Sequence, residues 1–176
     1  MKATGVVRRI DELGRIVIPK EIRRTLKIKE GTPLEIFCGD NGELLLKKYS
    51  PIIELSQLSK EICHSISVGI KKNVLICNME NIIAVSGTGT NTYIDKNIDN
   101  TIEKLINERQ CKIISQQVNK SILFYDTNIT NYGFCPIICA GDVYGAIIIF
   151  DGKNDIKEDD LNVLNAFADF LANQIG

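Results

Sequence analysis

The chain has 176 residues, 44% of them hydrophobic and 24% charged, proportions of an ordinary globular protein that exclude a disordered or fibrous one. The formal charge is only −1, yet residues 1–50 carry 11 basic against 7 acidic side chains and residues 51–176 carry 10 against 15, so the chain is electrically two-part. The longest apolar run, Ala146 to Phe150, falls far short of the roughly 18 residues that span a bilayer, and charge at Lys2, Arg8 and Arg9 interrupts any signal-peptide core; a cytoplasmic protein is expected.

Taken in chain order, Val6, Val7 and Ile10 and then Ile16, Val17 and Ile18 are short β-branched runs. They are separated by Asp11-Glu12-Leu13-Gly14-Arg15, a hairpin-like break. Pro19 suits the first position of a helix, because its fixed φ matches and its missing N–H would be unpaired there. The pattern predicts a helix from Pro19 to Leu26, ended by Glu30-Gly31. Pro33–Cys38 and Glu43–Lys48 then read as a second hairpin around Asn41-Gly42. A module of fifty residues makes a marginal core by itself, since a scaffold this small rarely yields more than about 3–5 kcal/mol. It is expected to fold as an oligomer.

Ser50-Pro51 marks the boundary, where charge changes sign and Pro stops a continuing strand. Beyond it, Leu55, Leu58, Ile62 and Ile66 recur at helical spacing. Strands are expected at Asn73–Cys77, Ile82–Ser86, Cys111–Ser115 and near Ser121–Tyr125. A helix is expected from Ile98 to Glu108, and a hairpin from Phe134 to Phe150 about Ala140-Gly141-Asp142. Leu161, Leu164, Ala168, Leu171 and Ile175 alternate at 3 and 4 in a coiled-coil-like seam, and this order of elements is α+β. The six cysteines, several inside apolar runs, read as reduced core residues in a reducing compartment.

The first 29 residues hold Lys2, Arg8, Arg9, Arg15, Lys20, Arg23, Arg24, Lys27 and Lys29 against Asp11, Glu12 and Glu21. On the short helix, Lys20, Arg23, Arg24 and Lys27 fall at i, i+3, i+4 and i+7 on one face, with Ile22 and Leu26 opposite. Such a face meets phosphates or merely solubilises. The arginines favour the former, since a guanidinium grips phosphate or a guanine edge in two bonds. Asp11 reads as a turn or ion-pair partner.

The run Gly5-Val6-Val7-Arg8-Arg9-Ile10-Asp11-Glu12-Leu13-Gly14-Arg15-Ile16-Val17-Ile18-Pro19-Lys20-Glu21-Ile22-Arg23-Arg24-Thr25-Leu26 resembles the DNA-binding domain of AbrB-type transition-state regulators almost residue for residue. With Leu34-Glu35-Ile36-Phe37 and Leu44 to Pro51 added, the whole chain is similar to the stage V sporulation protein T family. That resemblance implies a mostly β swapped-hairpin domain over residues 1–50, in which two chains interleave their strands. By matching positions it implies that Arg8, Arg15, Arg23 and Arg24 touch double-stranded DNA, with Arg9 and Lys20 as adjacent candidates. It also implies an α+β GAF-like domain over residues 51–176, carried by Val74 to Cys77, Ile83 to Gly87 and Gly141 to Phe150, which regulates, assembles dimers and in other proteins cups a small ligand.

Other chemistries are weaker. Gly87-Thr88-Gly89-Thr90 lacks the Gly-Lys-Ser/Thr of a phosphate loop and reads as a mobile loop near the pocket. Cys135 and Cys139, four apart in a strand, lie about 13 Å apart, too far to share a zinc ion. His64, the single histidine, has no second His or evident carboxylate to build a triad and reads as a partly exposed helix residue. A cysteine-dependent GAF-type methionine sulfoxide reductase would need accessible low-pKa thiols. An antitoxin-type DNA-binding autoregulator would share the N-terminal fold, but its C-terminal part would be disordered rather than globular.

The expected function is a transcriptional regulator of sporulation, controlling forespore promoters as activator or repressor from a cytoplasmic, nucleoid-associated position. It is not expected to be an enzyme or to need a cofactor or metal. The N-terminal domain would give a homodimer. Leu55, Leu58, Ile62, Leu161, Leu164 and Leu171 would join dimers into a tetramer, and the GAF domain would take a small-molecule ligand that the sequence does not identify.

Overall fold

A computed structural model describes residues 6–115, 131–151 and 155–176. The chain divides into two compact units, Met1–Tyr49 and Ser50–Gly176.

In the first unit the expected turn is present. The Asp11 N–H donates to the Arg15 carbonyl at 3.0 Å and the Gly14 N–H to the Asp11 carbonyl at 2.9 Å, with Gly14 at φ 73°, a value that costs a glycine nothing. The apolar runs on either side, 6–10 and 16–18, expected as strands, belong to no strand ladder here. Helix α1 (Lys20–Thr25) is one residue shorter at each end than expected, with Pro19 as its N-cap. It stops before Glu30-Gly31, since Lys27 turns left-handed at φ 51° and the Ile28 N–H returns to the Arg23 carbonyl at 2.8 Å, the return bond of a helix C-cap. Strands β1 (Leu34–Cys38) and β2 (Leu44–Lys48) pair antiparallel from Leu34 opposite Lys48 to Cys38 opposite Leu44, around the Asn41-Gly42 turn with Gly42 at φ 74°.

This unit has no interior. Between residues 6 and 49 only Pro19 is buried. Thirteen of the seventeen exposed large hydrophobic residues of the described chain lie here, Val7 at 88% and Leu13 at 74% among them. Leu26, expected on the buried side of α1, is 53% exposed for the same reason.

The second unit is a five-stranded antiparallel sheet in the order β4-β3-β7-β6-β5, formed by β3 (Asn73–Cys77), β4 (Ile82–Ser86), β5 (Lys112–Ser115), β6 (Asn131–Cys139) and β7 (Asp142–Phe150). The strand expected near Ser121–Tyr125 lies outside the described residues. Strand side chains alternate between the two sheet faces, and here both faces are covered. Val74, Ile76, Cys135, Ile137, Ile147 and Ile149 join a core with α2 (Pro51–Glu54), α3 (Ser56–Ile70) and α5 (Glu158–Ile175). Leu75, Cys77, Tyr132, Phe134, Ala146, Ile148 and Phe150 join a second core with α4 (Asn100–Glu108) and the 3-10 turn Thr90–Tyr93. Burial on both faces is why these strands read as unbroken apolar runs.

Local chemistry sets the edges of the elements. The Asp99 carboxylate caps α4 by accepting from the Thr101 and Ile102 N–H groups at 2.6 and 3.0 Å. Ala140 (φ 49°) and Gly141 (φ 86°) make the tight β6–β7 turn. At the sheet centre Gly145 is obligatory, since a Cβ there would stand 2.0 Å from the Cys77 carbonyl oxygen. The near-buried Lys72–Asp160 pair, at 3.7 Å, ties the loop after α3 to the first turn of α5.

Two expectations need correction. Leu164 and Leu171 are 0% exposed, Ile62 is 4% and Leu161 is 8%, all within their own domain's core. Leu55 and Leu58 are half-buried against that core. The 3–4 spacing marked a buried stripe, and the stripe is covered by this chain's own sheet rather than by another copy. The second correction concerns sulfur, because Cys111 and Cys135, read as separate core residues, are paired as a disulfide in this structure.

Candidate nucleic-acid interface

The cationic candidates occupy three short stretches of the first unit. Arg8 and Arg9 lie on the segment before the turn, Arg15 closes the turn, and Lys20, Arg23 and Arg24 line α1; all six are exposed. On α1 the three sit at i, i+3 and i+4 and therefore share a face. Lys27 does not extend that face, because it lies past the helix end in the left-handed region.

Asp11 holds Arg15 in place. One carboxylate oxygen accepts from the Leu13 and Arg15 N–H groups at 3.0 and 2.8 Å, and the other accepts from the Arg15 side-chain Nε at 2.7 Å. The backbone bond from Arg15, then its side-chain bond, hold the Asp11 carboxyl below its ordinary pKa, as expected when hydrogen bonds favour the charged form. The tip thus carries a pre-oriented guanidinium whose remaining N–H groups face outward, with the Arg15 side chain 70% exposed. Sequence reasoning placed Asp11 as a turn or ion-pair residue but not as the group that aims Arg15. The Asp-x-x-Gly-Arg spacing carried that signal, since Asp favours side-chain-closed turns.

Among the described residues no acidic side chain pairs with Arg8, Arg9, Lys20, Arg23 or Arg24. Exposed guanidinium groups with no internal partner are free for phosphate oxygens, which they bind in bidentate, charge-assisted fashion.

In the second unit the expected mobile Gly87–Thr90 loop is a closed turn. The Thr90 hydroxyl donates to the Gly87 carbonyl at 3.0 Å, Thr90 is 1% exposed, and a Cβ on Gly87 would meet Asn73 at 2.2 Å. Tyr132, on the α4 side of the sheet, has its phenol pKa raised by burial and then by the Asp99 charge. Burial likewise pushes the Cys63 and Cys77 thiols up to about 12, so neither forms a thiolate near neutral pH. His64 is exposed on α3.

Residues 54–176 match the family described as stage V sporulation protein T C-terminal, transcription factor, and residues 7–54 match the family described as antidote-toxin recognition MazE, bacterial antitoxin. Over 176 residues, 99% of both chains, the sequence is 43% identical to stage V sporulation protein T of Bacillus subtilis. Over 51 residues it is 59% identical to the transition state regulatory protein AbrB of the same organism, covering 29% of this chain and 52% of that one. The GAF domain from an Acinetobacter phosphoenolpyruvate-protein phosphotransferase superposes with a TM-score of 0.59 at 10% identity, covering 69% of this chain and 81% of that chain, which shows the fold alone.

Proposed function

The chain belongs to the stage V sporulation protein T family of transcription factors, with an AbrB-like DNA-binding domain ahead of a GAF fold, and from that premise we propose how it engages DNA. Arg8, Arg15, Arg23 and Arg24 contact the duplex, Arg9 and Lys20 flank the contact, and two chains bind together. The observation that carries this reading is that the exposed, acid-free guanidinium groups of α1 and the Asp11-braced Arg15 sit on a unit with no interior of its own.

A second copy of the first unit supplies that interior. In the pair, segments 6–10 and 16–18 of the two copies form strands on one another, and the copy's Val, Ile and Leu side chains cover the thirteen exposed hydrophobics. Burying apolar surface at about 25 cal/mol per Å² stabilises this arrangement in a way the lone chain lacks. Domain boundaries near residue 50 follow from the same reading. Residues 1–50 bind DNA while residues 51–176 sense and assemble, using outward groups such as Ile53, Val68 and Phe170 instead of the buried seam.

We place the protein in the cytoplasm of the forespore, acting on promoters there. We read the chain as a regulator rather than an enzyme, following its transcription-factor family; burial also raises Cys63 and Cys77, which removes those two as nucleophiles of a thiol-based reductase. An antitoxin reading has the match of residues 7–54 in its favour, but such proteins neutralise toxins with disordered tails, whereas residues 54–176 match a transcription-factor domain with two buried cores.

The test is a salt titration of DNA binding. Four arginines from each of two chains, all on phosphates, would give a slope of log K against log salt of about −7. Arg23→Ala should make the slope shallower by up to about 2, or, if Arg23 reads a base, should relax preference at one position at nearly constant slope. Lys157→Ala in the second unit should do neither. An Arg23→Ala protein that stays folded and dimeric with unchanged slope and affinity refutes the interface.

A further inference from the structure

Cys111 and Cys135 face each other across the β5–β6 pair. Lys112 pairs with Phe134, so the next residues outward, Cys111 and Cys135, stand opposite, with Cα atoms 4.1 Å apart. Side chains are closest at such non-hydrogen-bonded positions of an antiparallel ladder. Their sulfurs are bonded, but the site also accommodates two thiols, since Asn165 Oδ1 on α5 lies 3.3 Å from Cys111 Sγ and 3.6 Å from Cys135 Sγ. The sulfurs differ in access, Cys111 being partly exposed and Cys135 0% exposed. A protein that meets DNA works among reduced thiol pools, and disulfides in such compartments are mostly transient and redox-sensing.

We propose that Cys111 and Cys135 are a reversible thiol–disulfide modification site whose oxidant is a low-molecular-weight disulfide of the glutathione class. The Cys111 thiolate attacks one sulfur of that disulfide, forming a mixed disulfide and releasing one small thiolate. The Cys135 thiolate then attacks Cys111 Sγ, forming the Cys111–Cys135 bond and releasing the second small thiolate. The protein loses two electrons and two protons, and one small disulfide becomes two small thiols. Reduction runs the same steps backwards, entering at the accessible sulfur. Because β5 is an edge strand of the sheet, the bond staples that edge to β6, and Asn165 places α5 beside the change. The pairing itself is independent of the DNA-binding reading.

The test uses the full-length protein equilibrated in glutathione buffers from fully reduced to strongly oxidised, quenched with acid, alkylated and weighed intact. The expected result is six adducts in reduced buffer and four in oxidised buffer, with the linked peptides containing Cys111 and Cys135, and return to six on re-reduction. Cys111→Ser should hold its remaining five adducts in every buffer; if that variant does not fold, the wild-type peptide map decides. Amide exchange across Lys112–Ser115 should be slower in the oxidised protein. Six adducts in oxidised buffer, a linkage between other cysteines such as Cys38 of two chains, a bond that survives re-reduction, or equal exchange in both states would each overturn the proposal.

Discussion

Leu164→Ala separates a core role from an interface role. The side chain is 0% exposed and shares its cluster with Ile147, Ile149, Ala168 and Leu171, between a helix and a sheet that cannot both collapse into the gap. Leu-to-Ala changes at such sites cost about 2–5 kcal/mol, more where the surroundings stay open. With about 3 kcal/mol lost and a urea slope of about 2 kcal/mol per M for a domain of this size, the midpoint should fall by about 1.5 M. The assay is urea unfolding of fragment 50–176, followed by circular dichroism at two protein concentrations, with mass from light scattering. The shift should be the same at both concentrations, and the mass of the folded variant should equal that of the parent. Phe170→Ala, at a 45% exposed position on the same helix, should change stability by less than about 0.5 kcal/mol, a midpoint shift of less than about 0.25 M. An unchanged midpoint for Leu164→Ala, together with a lower mass, would refute the assignment of this leucine to the core and restore the seam between copies.

Fragment 1–54 should melt at a temperature that rises with concentration, as folding coupled to association requires; a monomer with a concentration-independent melt would contradict the shared interior. Asp11 gives a pH signature with a definite sign. Its folded-state pKa is depressed, so the turn's stabilisation is present above the ordinary Asp value of about 3.9 and is lost as pH falls through the lower folded value. The Leu13 and Arg15 amide resonances should therefore hold steady at neutral pH and move only in acid, and Asp11→Ala should abolish that titration and weaken DNA binding. Gly145→Ala should cost at least the about 1–3 kcal/mol of an overpacked core, because the obstructing atom is the backbone oxygen of Cys77; an unshifted melting temperature would mean that β3 and β7 can part without penalty.

What the sequence made legible follows a physical line. Strands β3 and β4 stand at their expected residues, and the β6–β7 hairpin turns at Ala140-Gly141, because their signals are local: an apolar run bounded by turn residues. Helix α4 was placed within two residues, and Asp99 fixes its start. Signals failed where the deciding partner was distant. Spacing showed that Leu161, Leu164 and Leu171 would be buried but could not say whether a sheet or another chain would bury them. The Cys111–Cys135 bond joins residues 24 apart, and nothing at either position reveals the β5–β6 register that brings them together. The flanks of the Asp11 turn read as strands, yet they form no strand in the single chain, and a strand needs a paired edge that local sequence does not supply. Resemblance singles out the arginines as the proposed DNA contacts, while the brace on Arg15 emerges only with the turn's geometry.

The empty interior of the first unit also bears on how long a copy survives. A solitary chain displays backbone outside any strand ladder at 6–10 and 16–18 beside exposed Val7, Leu13 and Val17, the kind of segment on which proteolysis concentrates. In the paired state proposed above those segments would be hidden, so degradation would act on the unpaired fraction and draw down the pool whenever synthesis is slow. Dilution after cell division would then clear the regulator faster than growth alone, giving its abundance a threshold set by the strength of its own association.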